Sequence, residues 1–399
     1  MSKIKICGIT TRPGTAKIMV PTLSYVAERG YDSYLICQPC DNFSNDAIAP
    51  ITYIPVEMGR GAVSPIEVIK CTYRLYKIFK QQRFDIVQYA SSNAGLYASI
   101  AAWMAHVPVR IFCQWGIPYT DYTGMKLKFF KFMEYFTCLL STSVQPDSHL
   151  NREWAIKEGL FKPKKGVVLG KGSAQGVSLK RFDIQKKTIW REEIRKQYQI
   201  PENVKVFCFV GRIVPQKGVN ELMEAFIRID RNDTYLFILG APDEINSLDQ
   251  ELLTKIKKKK NVVFTGAVSD PERYVAASDY LVLPSYREGF PNTILEAGAL
   301  GIPSIVTRIN GMIDLIVEGK TGFVCEIKSA DTLYCAMTKA LTQTNEEYKT
   351  MSYNVYTTVK NDFDAEYIKE CFYNNRQELI NLKSATIIQY TIKGRFMSR

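Results

Sequence analysis

FVGRIVPQKGVNELMEAF (209–226) decides the architecture. Its first residues close an apolar run, VKVFCFVG (204–211), that ends on Gly211. Apolar residues then recur at helical spacing through 218–229. A buried strand that turns through glycine into an amphipathic helix is one half of a βαβ unit. The pattern extends in both directions. TYLFILG (234–240), NVVFTG (261–266), DYLVLPS (279–285) and IPSIVT (302–307) read as strands, with helices over 188–200 and 291–300. Upstream, KIKICGIT (3–10), SYLIC (33–37), ITYIPV (51–56), FDIVQYA (84–90), VPVRIFC (107–113), STSVQ (141–145) and KGVVLG (165–170) read as strands. Helices are expected over 14–29, 65–82, 93–105 and 125–140, and from about Asp147. Two successive series of this kind predict an α/β protein of two Rossmann-like, doubly wound parallel sheets.

GKGSAQGVSLKRFD (170–183), with three glycines and two serines, reads as the connection between the series. The expected organisation is an N-terminal domain at 1–182, a second domain at 183–362, and a C-terminal helical segment at 363–399. That last segment is expected to return to the first domain and to end loosely in KGRFMSR. Ligands of such sheets bind beyond the carboxyl ends of the strands. The site is therefore expected in a central cleft faced by both domains.

Composition narrows the class. The 399 residues are 46% apolar and 23% charged, a globular balance. No apolar run reaches the roughly 18 residues of a membrane span, and MSKIKICGIT lacks the features of a secretory signal. The ten cysteines show no CxxC pair or zinc spacing, and several sit inside apolar strand runs, as small hydrophobes do in a reducing compartment. A net charge of +12 favours an anionic partner: a phosphorylated small molecule, an anionic membrane surface or nucleic acid. The two histidines, His106 and His149, read as structural, and no metal or cofactor is expected.

Two motifs carry chemistry. In 209–226, Arg212 and Lys217 place two cations beside a helix opening, where free N–H groups and the helix dipole favour an anion. A diphosphate fits there; an ordinary basic turn is the plain alternative. In SYREGFPNTILEAGALGIPSIV (285–306), Glu288 follows a strand and Glu296 lies in the helix after it. Two carboxylates there can accept hydrogen bonds from sugar and ribose hydroxyls. Ile294, Leu295 and Ala297 around Glu296 argue for a partnered group rather than a merely exposed one.

The ordered set Gly211–Arg212, Lys217–Gly218, Glu288 and Glu296 resembles the retaining glycosyltransferases of the GT-B fold, glycosyltransferase family 4. ASDYLVLPSYREGFPNTILEAGALGIPSIVT matches that family's donor-binding region almost continuously, and INGMIDLIVEGKTGFV (309–324) is similar to its next segment. The likeness is close over most of 165–325, in outline before it, and extends to the capsule and lipopolysaccharide branch. The resemblance implies Arg212, Lys217 and Glu288 as catalytic residues. Gly211, Glu296 and the backbone around Gly289, Phe290 and Asn292 would hold the donor, with Gly14 on the loop after the first strand assisting. It further implies a nucleotide-diphosphate sugar, UDP favoured, as donor, and a glycan acceptor carried on polyprenyl diphosphate. Neither metal nor nucleic acid is implied.

One departure stands out. Where many relatives have a His–Gly pair, this chain reads CQWGIPYTDYTG (113–124), so Gln114, Trp115 or Tyr119 would line the acceptor side instead. The helix 125–140 carries Phe129, Phe132, Met133, Phe136, Leu139 and Leu140 on one face and Lys126, Lys128, Lys131 and Glu134 on the rest. Such a helix suits the plane of a membrane surface, giving a cytoplasmic protein peripheral to the membrane's inner face. Packing of the aromatic face against its own sheet is slightly favoured. NDFDA (361–365) reads as helix-start acids rather than a metal-binding pair. The competing functions are a nucleotide-sugar epimerase of the same fold, for which the histidines are poorly placed, and a non-catalytic sugar-binding protein. A nicotinamide dehydrogenase is disfavoured because GxGxxG is absent after the first strand.

Overall fold

The computed structural model describes residues 3–396 except Asn42, residues 60–63, Pro118 and residues 120–121. It contains two compact units, Met1–Gln175 with Glu366–Arg399, and Gly176–Ala365. The first division precedes the expected 182/183. Val177 donates its N–H to Phe363 O and accepts from Ala365 N, and Val177 and Phe182 belong to the second unit's core.

The first unit runs β1 (Lys5–Ile9), α1 (Pro13–Ala27), β2 (Asp32–Cys37), β3 (Thr52–Pro55), α2 (Pro65–Gln82), β4 (Ile86–Ala90), α3 (Ser92–Met104), β5 (Val109–Gln114), α4 (Gly124–Leu140), β6 (Ser143–Pro146) and α5 (His149–Lys157). The second runs α6 (Lys187–Gln197), β7 (Lys205–Val210), α7 (Val219–Ile229), β8 (Thr234–Leu239), α8 (Gln250–Lys257), β9 (Val262–Gly266), α9 (Pro271–Ala277), β10 (Tyr280–Leu283), α10 (Asn292–Ala299), β11 (Ser304–Thr307), β12 (Gly322–Cys325), α11 (Ala330–Thr342) and α12 (Asn345–Asp362). The helix α13 (Ala365–Phe396) follows.

Both sheets are six-stranded and parallel, in the orders β3-β2-β1-β4-β5-β6 and β12-β11-β10-β7-β8-β9. Read from β9, the second order repeats the first, which is the doubly wound arrangement. Phe207 of β7 lies opposite Leu236 on one side and Tyr280 on the other. Strand β10 is buried throughout, which is why it reads as an unbroken apolar run rather than an alternating one. KGVVLG is not a strand. Among the described residues its strand-like pairing is limited to a bridge, Val144 to Gly166, and a bond from Val167 N to Val144 O. The expected loose end at 393–399 continues helically to Phe396, and residues 397–399 lie outside the described residues.

Helix α4 departs most from expectation. Leu127 and Phe130 pack on the core, and Glu134, Thr137 and Cys138 are buried, whereas Phe129, Phe132 and Leu139 are 60%, 62% and 55% exposed. Met133, Phe136 and Leu140 are partly buried, so the aromatic stripe lies mainly outward rather than against the sheet, contrary to the favoured reading. The contact with α3 leaves room only for small groups: a Cβ added at Gly95 would lie 3.2 Å from Thr137 Cγ2. Glu134 turns in because Gln114 Nε2, at the end of β5, donates to its Oε1 at 2.8 Å. Burial pushes the Glu134 carboxyl up to about 7, and the bond from Gln114 partly offsets this.

In the first unit, α13 lies on the sheet face that α1 covers, where Phe372 joins the core. Arg376 of α13 is fully buried. It donates to Gln145 Oε1 at 2.6 Å and Gln88 Oε1 at 2.8 Å, and its guanidinium lies 3.9 Å from the Phe372 ring centre. Burial pulls the guanidinium down to about 10. Substituting Arg376→Met would leave two buried amide oxygens without their donor and is expected to cost roughly 3 kcal/mol. Urea denaturation should show an earlier midpoint for the variant; an unchanged one would mean that these amides do not depend on the arginine.

Candidate active site

In the second sheet the chain leaves β7 toward β8 and leaves β10 toward β11, so a crevice opens between the carboxyl ends of β7 and β10. Two loops form it. The loop after β7 passes Gly211 and Arg212 and makes a 3-10 turn, Pro215–Lys217, before Gly218 opens α7. Gly218 has φ +68°, and a Cβ there would sit 2.0 Å from Pro284 O, so the two loops meet backbone to backbone. Tyr286 N donates to Gln216 O at 3.0 Å and secures the contact. On the far side, Gly311 has φ +84°, and a Cβ there would lie 1.6 Å from Gly289 O. Gly311 N is held by Asp314 Oδ2 at 3.0 Å.

This backbone brings Lys217 and Glu288 together. Lys217 Nζ donates to Glu288 Oε1, and both side chains are largely buried. Arg212 is exposed and has no ion pair among the described residues. Phe290 is buried and stacks at a tilt on Phe363, 5.2 Å between ring centres, which holds the loop that precedes α10. Pro291 caps α10 without any side-chain hydrogen bond, and Asn292 is its first residue. Proline has no side-chain acceptor, so Pro291 leaves the first-turn N–H groups of α10 uncapped from its own position, as at helix starts that receive an anion.

Glu296 is the fifth residue of α10 and partly buried. Burial pushes its carboxyl up to about 7, the Arg181 guanidinium draws it down, and Glu272 pushes it up. Arg181 itself binds Glu272 Oε2 at 3.0 Å. Among the described residues Glu296 accepts no hydrogen bond. The two glutamates thus differ: Glu288 is held by an ammonium, while Glu296 keeps its acceptor capacity at a price in desolvation. The arrangement can hold an anion between cations and helix N–H groups and can offer carboxylate oxygens to hydroxyls.

The remaining candidates lie in the first unit. Gly14 is the second residue of α1, exposed, with open space where a Cβ would project, so no packing demands glycine there. The loop after β1 is tied to the loop after β4 by Thr11 Oγ1 and Ser91 Oγ, 3.3 Å apart. Gln114 and Tyr119, expected on the acceptor side, are buried in this structure. Each is 1% exposed; Gln114 is committed to Glu134, and Tyr119 packs near Trp154 with ring centres 6.1 Å apart. Trp115 is partly buried against the core. Among the described residues no group of three or more His, Cys, Asp or Glu side chains is placed to hold a metal.

Sequence reading missed several contributors. In sequence Arg181 is simply one residue of the connecting segment 170–183. Gly240 follows β8, and a Cβ there would lie 1.7 Å from Gly211 O. Tyr286 donates to Glu221 Oε1 at 2.6 Å, joining the loop after β10 to the first turn of α7. The glycine at the end of TYLFILG was a visible signal; the other contacts join residues 65 or more apart and leave no local trace.

Comparison with known proteins places the chain. Residues 190–358 match the family of glycosyl transferases group 1, and residues 14–144 match the glycosyl transferase 4-like family. The chain is 30% identical over 306 residues to the capsular polysaccharide biosynthesis glycosyltransferase CapM of Staphylococcus aureus, covering 76% of this chain and 79% of that one. It is 28% identical to the UDP-Gal:alpha-D-GlcNAc-diphosphoundecaprenol alpha-1,3-galactosyltransferase of Escherichia coli, over 91% and 94% of the two chains. A glycosyltransferase structure from Rickettsia africae superposes with a TM-score of 0.76 at 20% identity, over 95% of this chain and 99% of that one. The two parallel sheets are those of the GT-B fold. With a relative at this identity and coverage, and both family matches in order along it, the chain belongs to the group 1 glycosyltransferases and is an enzyme of that kind.

Proposed function

We propose that the enzyme moves a sugar from a UDP-sugar to a glycan carried on polyprenyl diphosphate, with retention of configuration, in cell-surface polysaccharide synthesis. The observation that carries the reading is the Lys217–Glu288 contact beside the uncapped start of α10. Arg212 and Lys217 would hold the donor diphosphate and stabilise the charge that develops as it leaves. Glu288 would accept from the donor sugar once a phosphate claims Lys217, and Glu296 would accept from the ribose. The bond from anomeric carbon to phosphate oxygen breaks, the acceptor hydroxyl oxygen bonds the same carbon, and its proton leaves with the diphosphate. The names of the Staphylococcus aureus and Escherichia coli relatives support the capsule setting, the UDP donor and the lipid-linked acceptor. No metal is needed in this reading, since two cations already face the diphosphate.

Donor binding is tested with a panel of UDP- and GDP-sugars in EDTA. Binding is expected without added metal; binding only after a divalent cation is supplied would overturn the assignment to Arg212 and Lys217. Arg212→Ala and Lys217→Ala are each expected to lower transfer about a hundredfold. Near-normal transfer in both would remove the donor site from this crevice.

Glu296 adds a pH signature. Its carboxyl titrates near 7, so the ionised form that accepts two ribose hydroxyls is lost as pH falls through that value. The donor Michaelis constant should fall as pH rises from 6 to 8, and in Glu296→Gln it should be higher and flat over the same range. A wild-type profile retained by the variant would assign the titration elsewhere.

A peripheral membrane location follows from α4. Phe129 and Phe132 face outward, Met125 is 87% exposed, and Lys126 and Lys128 are exposed beside them. No helix among the described residues is long and apolar enough to cross a membrane. Lys131 contributes less, because it pairs with Glu158 at 2.6 Å. Each lysine near an anionic surface adds about 1 kcal/mol, and aromatic insertion supplies the rest. Co-sedimentation with anionic vesicles should drop at high salt and in Lys126→Glu/Lys128→Glu, and should nearly vanish in Phe129→Ser/Phe132→Ser. Equal sedimentation of all three proteins would exclude α4 as the contact.

A further inference from the structure

A groove of about 710 Å³ opens in the first unit beside the last turns of α4 and α5. Thr142, which precedes β6, lines it, so it lies at the starting edge of the strands, away from the carboxyl ends where donor and acceptor chemistry is expected. Its floor is apolar: Cys138, Leu160 and Phe161 are buried there, and Ile156 adds to it. Its rim carries Lys162, Lys164 and Lys165, and no carboxylate is among the residues that line it.

Among the described residues no ion pair joins Lys162, Lys164 or Lys165 to a carboxylate. Lys162 and Lys164 are exposed. Lys165 donates to Leu139 O at 3.1 Å, a neutral acceptor. The nearby Glu158 is committed to Lys131. A neighbouring groove of about 490 Å³ shares Lys164 and Lys165 but includes Glu378, which makes it the poorer anion site. An apolar floor under a cationic rim fits a molecule with a hydrocarbon chain at one end and an anionic group at the other. Tyr135 and Leu139 line the groove and also belong to the exposed side of α4, so the groove continues the surface assigned above to the membrane.

We propose that this groove binds one anionic phospholipid, with an acyl chain over Leu160 and Phe161 and its phosphate at Lys162 and Lys164. The proposal rests on the membrane reading of α4 and deepens it. α4 responds to the charge and apolar depth of the bilayer as a whole, whereas the groove holds a single anionic molecule.

The test uses the full chain and monomeric lipid, so that groove binding is separated from bilayer binding. Calorimetric titration with dihexanoyl phosphatidylglycerol below its micelle concentration should show one site per chain. Binding should be at least tenfold tighter than that of dihexanoyl phosphatidylcholine or inorganic phosphate. Lys162→Gln/Lys164→Gln should weaken it at least tenfold. Leu139→Trp, a change at an exposed position that narrows the groove, should weaken it similarly with an unchanged circular dichroism spectrum. Phe129→Ser/Phe132→Ser should bind the short lipid like wild type even as it loses vesicle binding. Equal binding of the two lipids, phosphate binding as tight as the lipid, or no effect of the lysine changes would overturn the groove assignment. Wild type that sediments with vesicles but takes up no monomeric phosphatidylglycerol would also overturn it, and would leave the membrane role of α4 intact.

Discussion

The approach of Gly218 to the carbonyl of Pro284 is the contact on which the candidate site depends. Parallel pairing of β7 with β10 sets the two strands side by side, but their loops meet only because residue 218 has no Cβ to fill the space occupied by the Pro284 carbonyl. With that contact made, Gln216 O accepts from Tyr286 N, and Lys217 reaches Glu288. Any side chain at 218 would push the loops apart by more than a hydrogen bond can tolerate. The same economy recurs at Gly240 against Gly211 and at Gly311 against Gly289. Three backbone-to-backbone contacts thus build the crevice, and its charged side chains hang from a frame that they do not themselves create.

Within that frame the two glutamates divide their work by environment. Glu288 faces an ammonium, which stabilises its charge. Glu296 is recessed along α10, and burial outweighs the help of Arg181, so its carboxyl titrates near neutrality. A carboxyl poised this way gains most from a ligand that hydrogen-bonds its ionised form, because the desolvation cost has already been met in the folded chain. The pairing of a cation-bound acid with an unpartnered one gives the crevice both a place for negative charge and a place for hydroxyl groups.

The first unit shows a different use of polarity. Helix α4 carries two stripes at helical spacing. One is aromatic, and the other runs Leu127, Phe130, Glu134, Thr137 and Cys138. Hydrophobicity alone selects the aromatic stripe as the core face. The chain buries the other, because α3 leaves space only for small groups beside Gly95 and because Gln114 offers Glu134 a partner. The displaced aromatics face outward, and with the lysine-rimmed groove at the end of the helix they form the surface to which membrane contact is assigned. The C-terminal helix makes a similar exchange at Arg376, a buried cation held by amides of β4 and β6.

The doubly wound class and the order of most strands were legible in the sequence, and so were the cation and the carboxylate that meet as Lys217 and Glu288. Each depends on local features: apolar runs as long as a strand, apolar spacing along a helix, and cations or carboxylates just past a strand's end. KGVVLG misled because an apolar run of strand length need not find a neighbour to pair with. The direction in which Gln114, Tyr119 and α4 face was not legible, nor was the partnership of Arg181 with Glu272 near Glu296. These depend on which groups meet across the fold, and on how much room a neighbouring helix leaves. Sequence by itself thus determined the elements and the chemistry placed at their ends. Tertiary structure decided which side of each element is buried, because burial is settled by the volume and hydrogen-bond partners that the rest of the chain supplies.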